Sequence, residues 1–181
     1  MRALVLSALL LLPVPALADA NGDNAAQYDA SRLTITFGAF CQRPSVGEVP
    51  APDTAAKKID LIDGTPEIRW PGHVIPAAPG ISFGVRTMTH DAESLWPVMI
   101  ELTHPAFAES GTSHQTYYTT LGGSDASINA YSFDLPEELV TGTWTLTAVY
   151  AGDVLYSVNF EVVPAEALPE IANGCIGYLG S

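Results

Sequence analysis

A chain of 181 residues with 7 Lys plus Arg against 20 Asp plus Glu carries a formal charge of −13, and 48% of it is hydrophobic against 15% charged. That apolar content excludes a disordered chain, and the acidity disfavours phosphate backbones and anionic headgroups, so no nucleic-acid partner is expected. The length suits one domain with its own core.

Residues 1–18 open with a single cation, Arg2, followed by an apolar run from Ala3 to Leu12 and the small-residue end Ala16-Leu17-Ala18. This is the layout of a secretory signal peptide, with cleavage predicted after Ala18. The run reaches roughly half of the ~20 residues that span a bilayer core, so membrane insertion after cleavage is not expected. Asp19 rather than cysteine follows the cleavage point, which argues against a lipid anchor. Removing Arg2 leaves a mature chain of 163 residues at −14. The expected location is periplasmic or secreted.

Residues 19–31 are small and polar and read as a mobile leader. From Arg32 the pattern changes: Leu33, Ile35, Phe37, Ala39 and Cys41 alternate with Thr34, Thr36 and Gly38, the signature of a half-buried strand. Pro44, Pro50 and Pro52 make 42–56 a loop between strands. Short strands are predicted at 57–62 and 67–70 around the turn pair Asp63-Gly64, then a second Pro/Gly-rich loop at 71–80. Alternation returns in Ile81, Phe83 and Val85 and again in Val98, Ile100 and Leu102. A loop covers 105–113. Residues 114–120, rich in Thr and Tyr, read as an edge strand, 122–125 as a turn, and 128–135 as a further strand. Leu135-Pro136-Glu137-Glu138-Leu139 fits one helical turn with proline in its first turn.

The clearest passage is the last. Trp144, Leu146, Ala148 and Tyr150 face one way, Ala151-Gly152-Asp153 turns, and Val154, Tyr156, Val158, Phe160 and Val162 alternate after it. That is a β-hairpin. The tail 164–181 has no alternation. About eight short strands with turn clusters between them predict an all-β antiparallel sandwich over 32–163.

Phe37-Gly38-Ala39-Phe40, Ser82-Phe83-Gly84-Val85, His104-Pro105 and Gly142-Thr143-Trp144-Thr145-Leu146 resemble the corresponding stretches of bacterial immunoglobulin-like modules. More narrowly, they are similar to an uncharacterised family of exported proteobacterial proteins, a domain of unknown function. The resemblance covers residues 32–163 and implies an immunoglobulin-like β-sandwich of about 7–9 strands. It carries no assigned activity, so no functional residue transfers with it.

Cys41 and Cys175 are the only two cysteines, and an even count in an exported chain favours a disulfide that ties the tail to the strand of Cys41. Two free thiols or an intermolecular bridge are the alternatives. Of the four histidines, His73, His90, His104 and His114, none stands at metal-ligand spacing. His90 and His104 are the weak candidates should their strands converge, and no metal or cofactor is expected. Asp60 and Asp63 lack the alternating oxygens of a calcium loop. Ser113-His114 and Ser124-Asp125 sit in no nucleophile elbow, and Glu137-Glu138 reads as a solvated turn. No catalytic residue is assigned, and the chain is read as a non-enzyme.

Trp70, Tyr117 and Tyr118 are the aromatics placed to bind, either stacking on a sugar or anchoring a protein. The expected function is an exported immunoglobulin-like module that binds a protein or cell-envelope partner. Carbohydrate binding through those aromatics and histidine-based metal binding are the alternatives.

Overall fold

The computed structural model describes residues 25–176, and the predicted signal peptide lies outside them. Twelve strands follow in order: β1 (Ala26–Tyr28), β2 (Leu33–Cys41), β3 (Ser45–Pro50), β4 (Lys58–Ile62), β5 (Trp70–Pro71), β6 (Val74–Ala77), β7 (Ile81–Thr89), β8 (Ser94–Thr103), β9 (His114–Gly122), β10 (Ser127–Ser132), β11 (Gly142–Tyr150) and β12 (Asp153–Pro164). Two 3-10 turns span Pro136–Glu138 and Ala165–Ala167, and a short helix α1 (Pro169–Ala172) is the last element. The first sheet runs β1-β12-β11-β8-β9, with β6 also on β12; the second runs β10-β7-β2-β5. β3 and β4 pair only with each other.

The two sheets face each other across a core in which alternate residues do the packing. Trp144 on β11 is 0% exposed at its centre, with Phe83 5.5 Å away on the opposite sheet and Phe133 at 5.8 Å, both edge-on. The Trp144 indole N–H donates to the Val140 carbonyl at 3.1 Å, so the one polar atom of this ring is satisfied. The Glu138 carboxylate caps the turn below by accepting from the backbone N–H groups of Asp134 and Leu135, at 2.7 and 2.9 Å.

Alternation places most of these strands correctly, with five departures. Residues 26–28, expected within a mobile leader, form β1 against Tyr156–Val158. The proline-rich 42–56 contains β3, and 71–80 contains β6, which pairs in parallel with β12. Pro50 and Pro76, which imitate loop residues, sit in strands bonded on one side, where a missing N–H costs no ladder bond. The strand expected at 67–70 shrinks to Trp70–Pro71, which lies over Gly38. A Cβ on Gly38 would come within 2.2 Å of the Trp70 carbonyl oxygen, so only glycine lets β5 approach. In the last hairpin a bulge sets Val149 opposite Val154 but Ala148 opposite Tyr156. The predicted unbroken alternation therefore breaks: Leu155 and Tyr156 are both buried while Val154 is 56% exposed.

The tail after β12 returns to β2 through a Cys41–Cys175 disulfide, with a Cα–Cα distance of 5.4 Å. No helix among the described residues is long and apolar enough to cross a membrane.

Candidate functional site

The aromatics proposed for binding fall into three environments. Trp70 is half-buried and covered: the Arg69 guanidinium lies 4.5 Å over its ring, and Gly174 of the tail packs against it so closely that a Cβ there would meet Trp70 Cζ2 at 2.5 Å. It is a structural contact of the tail and not an open platform. Tyr117 points inward from β9, and its hydroxyl donates to Asn129 Oδ1 at 3.4 Å. Burial pushes its phenol well above the ordinary tyrosine range. Tyr118, on the opposite face of the same strand, is 64% exposed. The structure thus separates neighbours that the sequence grouped.

The two histidine candidates do not converge. His90 precedes β8 and His104 follows it, so the ten-residue strand holds them about 30 Å apart. His90 is exposed, with Nε2 3.1 Å from Thr34 Oγ1 and Nδ1 3.2 Å from the Ser31 carbonyl. His104 is in the core, stacked between Phe107 at 4.2 Å and Trp144 at 4.4 Å. Its Nδ1 is 2.9 Å from the Pro105 carbonyl, which can only accept, so Nδ1 carries the proton. Nε2 then accepts from the Gln115 amide at 2.9 Å, and no lone pair is left for a metal. Burial holds this imidazole below the ordinary histidine range, partly offset by the bond to Pro105. Among the described residues no group of His, Cys, Asp and Glu is placed to share a metal ion.

A cavity of about 380 Å³ opens at the side of the sandwich where β9 and β10 end their sheets. The β3–β4 hairpin crosses this opening. Its tip is tied down at Gln115, whose Oε1 accepts from the Ala55 N–H at 2.8 Å, and at Thr116, whose N–H donates to the Asp53 carbonyl at 3.2 Å. Its far end is held by Thr65, whose hydroxyl donates to the Ala126 carbonyl at 2.7 Å. The volume lies within the few hundred Å³ common for ligand sites.

Leu102 and Leu146 supply an apolar floor and Tyr117, Asn129 and Tyr131 an inner polar wall. Asn129 is only 3% exposed, and its side chain meets the buried Tyr156 hydroxyl, which lies outside the cavity lining. At the mouth stand Asp60 and Asp134 with Arg43 and Lys58. Lys58 is already held by Glu48 and Asp60, at 2.6 and 3.2 Å. Partial burial raises the Asp134 carboxyl, opposed by a hydrogen bond from the Gln42 amide.

Sequence reasoning missed Gln115 and Asn129. A signal was present: both are polar residues at inward positions of alternating strands, where apolar side chains are the rule.

No match was found among curated proteins. The family model described as a domain of unknown function, DUF3859, matches residues 30–162. The chain belongs to the DUF3859 family. Among solved structures, this DUF3859 protein is similar to an immunoglobulin-like protein, PA1606, from Pseudomonas aeruginosa, at 19% identity and a TM-score of 0.50. The match covers 80% of this chain and 99% of the other. At that identity the likeness supports the immunoglobulin-like fold alone. The family match bears out the resemblance carried by the Phe-Gly-Ala-Phe, Ser-Phe-Gly-Val and Gly-Thr-Trp stretches. Of those stretches, Gly38 and Gly84 lie where a neighbouring strand leaves no room for a Cβ, and Trp144 and Leu146 lie in the core.

Proposed function

We propose that this DUF3859 protein is a non-enzymatic, extracytoplasmic binding module, and that its partner, a protein or another cell-envelope component, engages the cavity under the β3–β4 hairpin. The observation that carries the reading is the cavity itself, about 380 Å³, walled by the unpaired edges of β4 and β10. A concavity of a few hundred Å³ lined by apolar and polar side chains together is the common form of a binding site. Supporting the location are the signal-like residues 1–18 and the disulfide, a bond that persists in oxidising compartments. Supporting binding over catalysis, Ser124 bonds to its neighbour Asp125 and His114 to Glu101, and no serine hydroxyl among the described residues is bonded to a histidine.

The test is photo-crosslinking in the producing cell. A photoreactive residue at Thr119, on the cavity wall, should yield one discrete adduct whose partner mass spectrometry identifies, and the same residue at Thr143, on the outer face of β11, should not. An absence of adduct at 119, or the same adduct from both positions, would overturn the reading.

A carbohydrate reading keeps one specific support. Tyr118 and Trp96, 64% and 62% exposed, both lie on the outer side of the β8–β9 pair and could stack on sugar rings. Glycan-array binding that disappears in Tyr118→Ala would favour it, and a blank array would remove it.

A further inference from the structure

Successive residues of a strand point to opposite faces, so a strand lines one space with consecutive residues only when its edge faces that space. Two strands do so here: Lys58 to Ile62 of β4 and Ile128 to Ser132 of β10 line the cavity without a gap. They run in opposite directions, since Thr65 bonds to Ala126 at one end while Lys58 and Asp60 act on the charge of Asp134 at the other. β4 pairs only with β3 and β10 only with β7, so each offers one unused edge.

The register shows which backbone groups are unspent. The Phe133 N–H donates to the Ile81 carbonyl, so the odd-numbered residues of β10 bond to β7. The N–H and C=O groups of Ile128, Ala130 and Ser132 therefore point outward, and none has a partner among the described residues. In β4 the bond from the Ala51 N–H to the Lys57 carbonyl fixes the same parity, and Asp60 turns its backbone outward. Backbone donors and acceptors recurring at every second residue match an extended chain and little else.

We propose that the space between β4 and β10 takes an extended peptide segment of a partner protein as an added strand. The segment would bond to the outward backbone of Ile128, Ala130 and Ser132. Its side chains would alternate, with apolar ones directed at Leu102 and Leu146 and the others at the mouth. There Arg43 and Lys58 balance Asp60 and Asp134, which favours polar side chains at the outward positions. This rests on the binding-module reading and specifies the partner chemistry for that same cavity.

A phage-displayed library of random linear heptapeptides is the probe, panned on the whole disulfide-bonded protein. Selected peptides should alternate apolar with polar residues. Ala130→Pro removes one outward N–H while sparing the β7 ladder, and should weaken their binding at least tenfold, against no change in Ala130→Ser. Should Ala130→Pro fail to fold, N-methylation scanning of a selected peptide probes the same backbone bonds on the wild type: binding should be lost at alternate positions. No selected peptide, or binding indifferent to both Ala130→Pro and N-methylation, overturns strand addition. If Thr119 still forms its cellular adduct in that case, only the peptide chemistry is wrong; if it does not, the binding-module reading falls as well.

Discussion

His104 has room for one ring proton. Pro105 takes the Nδ1–H, Gln115 donates to Nε2, and a second proton at Nε2 would confront the Gln115 amide inside an aromatic stack. The imidazole is accordingly held below its ordinary value of 6.5, chiefly by burial. The native state therefore binds fewer protons than the unfolded chain, so stability rises with pH up to about 6.5 and falls as pH drops below it. Urea unfolding at pH 5 and pH 7 should show this loss. His104→Phe keeps a ring between Phe107 and Trp144 but deprives Gln115 of its acceptor. It should cost about 1–3 kcal/mol at pH 7 and flatten the dependence between the two pH values. An unchanged slope in this variant would mean that another group carries it. The sequence showed a histidine before proline; it could not show that both ring nitrogens were spent, because Gln115 and Trp144 reach it only through strand pairing.

At the scale of elements, the β3–β4 hairpin is the least supported part of the sandwich. A two-stranded ribbon is marginal by itself, and every residue of β3 is exposed. Three hydrogen bonds beyond its own ladder hold it: Ala55 to Gln115, Thr116 to Asp53 and Thr65 to Ala126. Gln115→Leu removes the first, leaving the half-buried Ala55 N–H without its acceptor and the buried His104 Nε2 without its donor, a cost of about 1–3 kcal/mol for each group. Hydrogen exchange should quicken across residues 45–62 in this variant while the amides of β11 and β12 change less. Equal acceleration in both regions would show that the hairpin opens only with the whole domain. This element was illegible in the sequence for a local reason. A bulge between Ser45 and Gly47 shifts the phase of its apolar residues, and its prolines imitate a loop. By contrast β11 and β12, with long alternation and a Gly-containing turn, were readable almost to their ends.

For the molecule as a whole, the Cys41–Cys175 bond closes 134 residues of chain. In the chain-entropy picture a loop of that length stabilises by at most about 5 kcal/mol. Chemical unfolding with and without reductant, or of Cys175→Ser, should show a loss of several kcal/mol. Trp70 should also report it by fluorescence, since Gly174 packs on its ring and the Arg69 guanidinium donates to the Gly174 carbonyl at 3.2 Å. A midpoint that reduction leaves in place would mean that the tail holds to β2 without the bond. The cysteine count made this pairing readable; the burial of Trp70 beneath the tail was not, because nothing local to Trp70 announces what covers it.

Local sequence sufficed for an all-β domain, the inward and outward residues of its long strands, the hairpin at 142–163 and the cysteine pair. Each of these follows from a period of two, a turn dipeptide or a count, which are properties of neighbours along the chain. Tertiary contacts alone settled that β6 joins β12 in parallel, that His104 belongs to the core, that Trp70 is covered, and that β4 and β10 leave their edges facing one cavity. Those outcomes depend on which distant segments meet. Alternation tells a strand which face to bury and is silent about which edge it will pair.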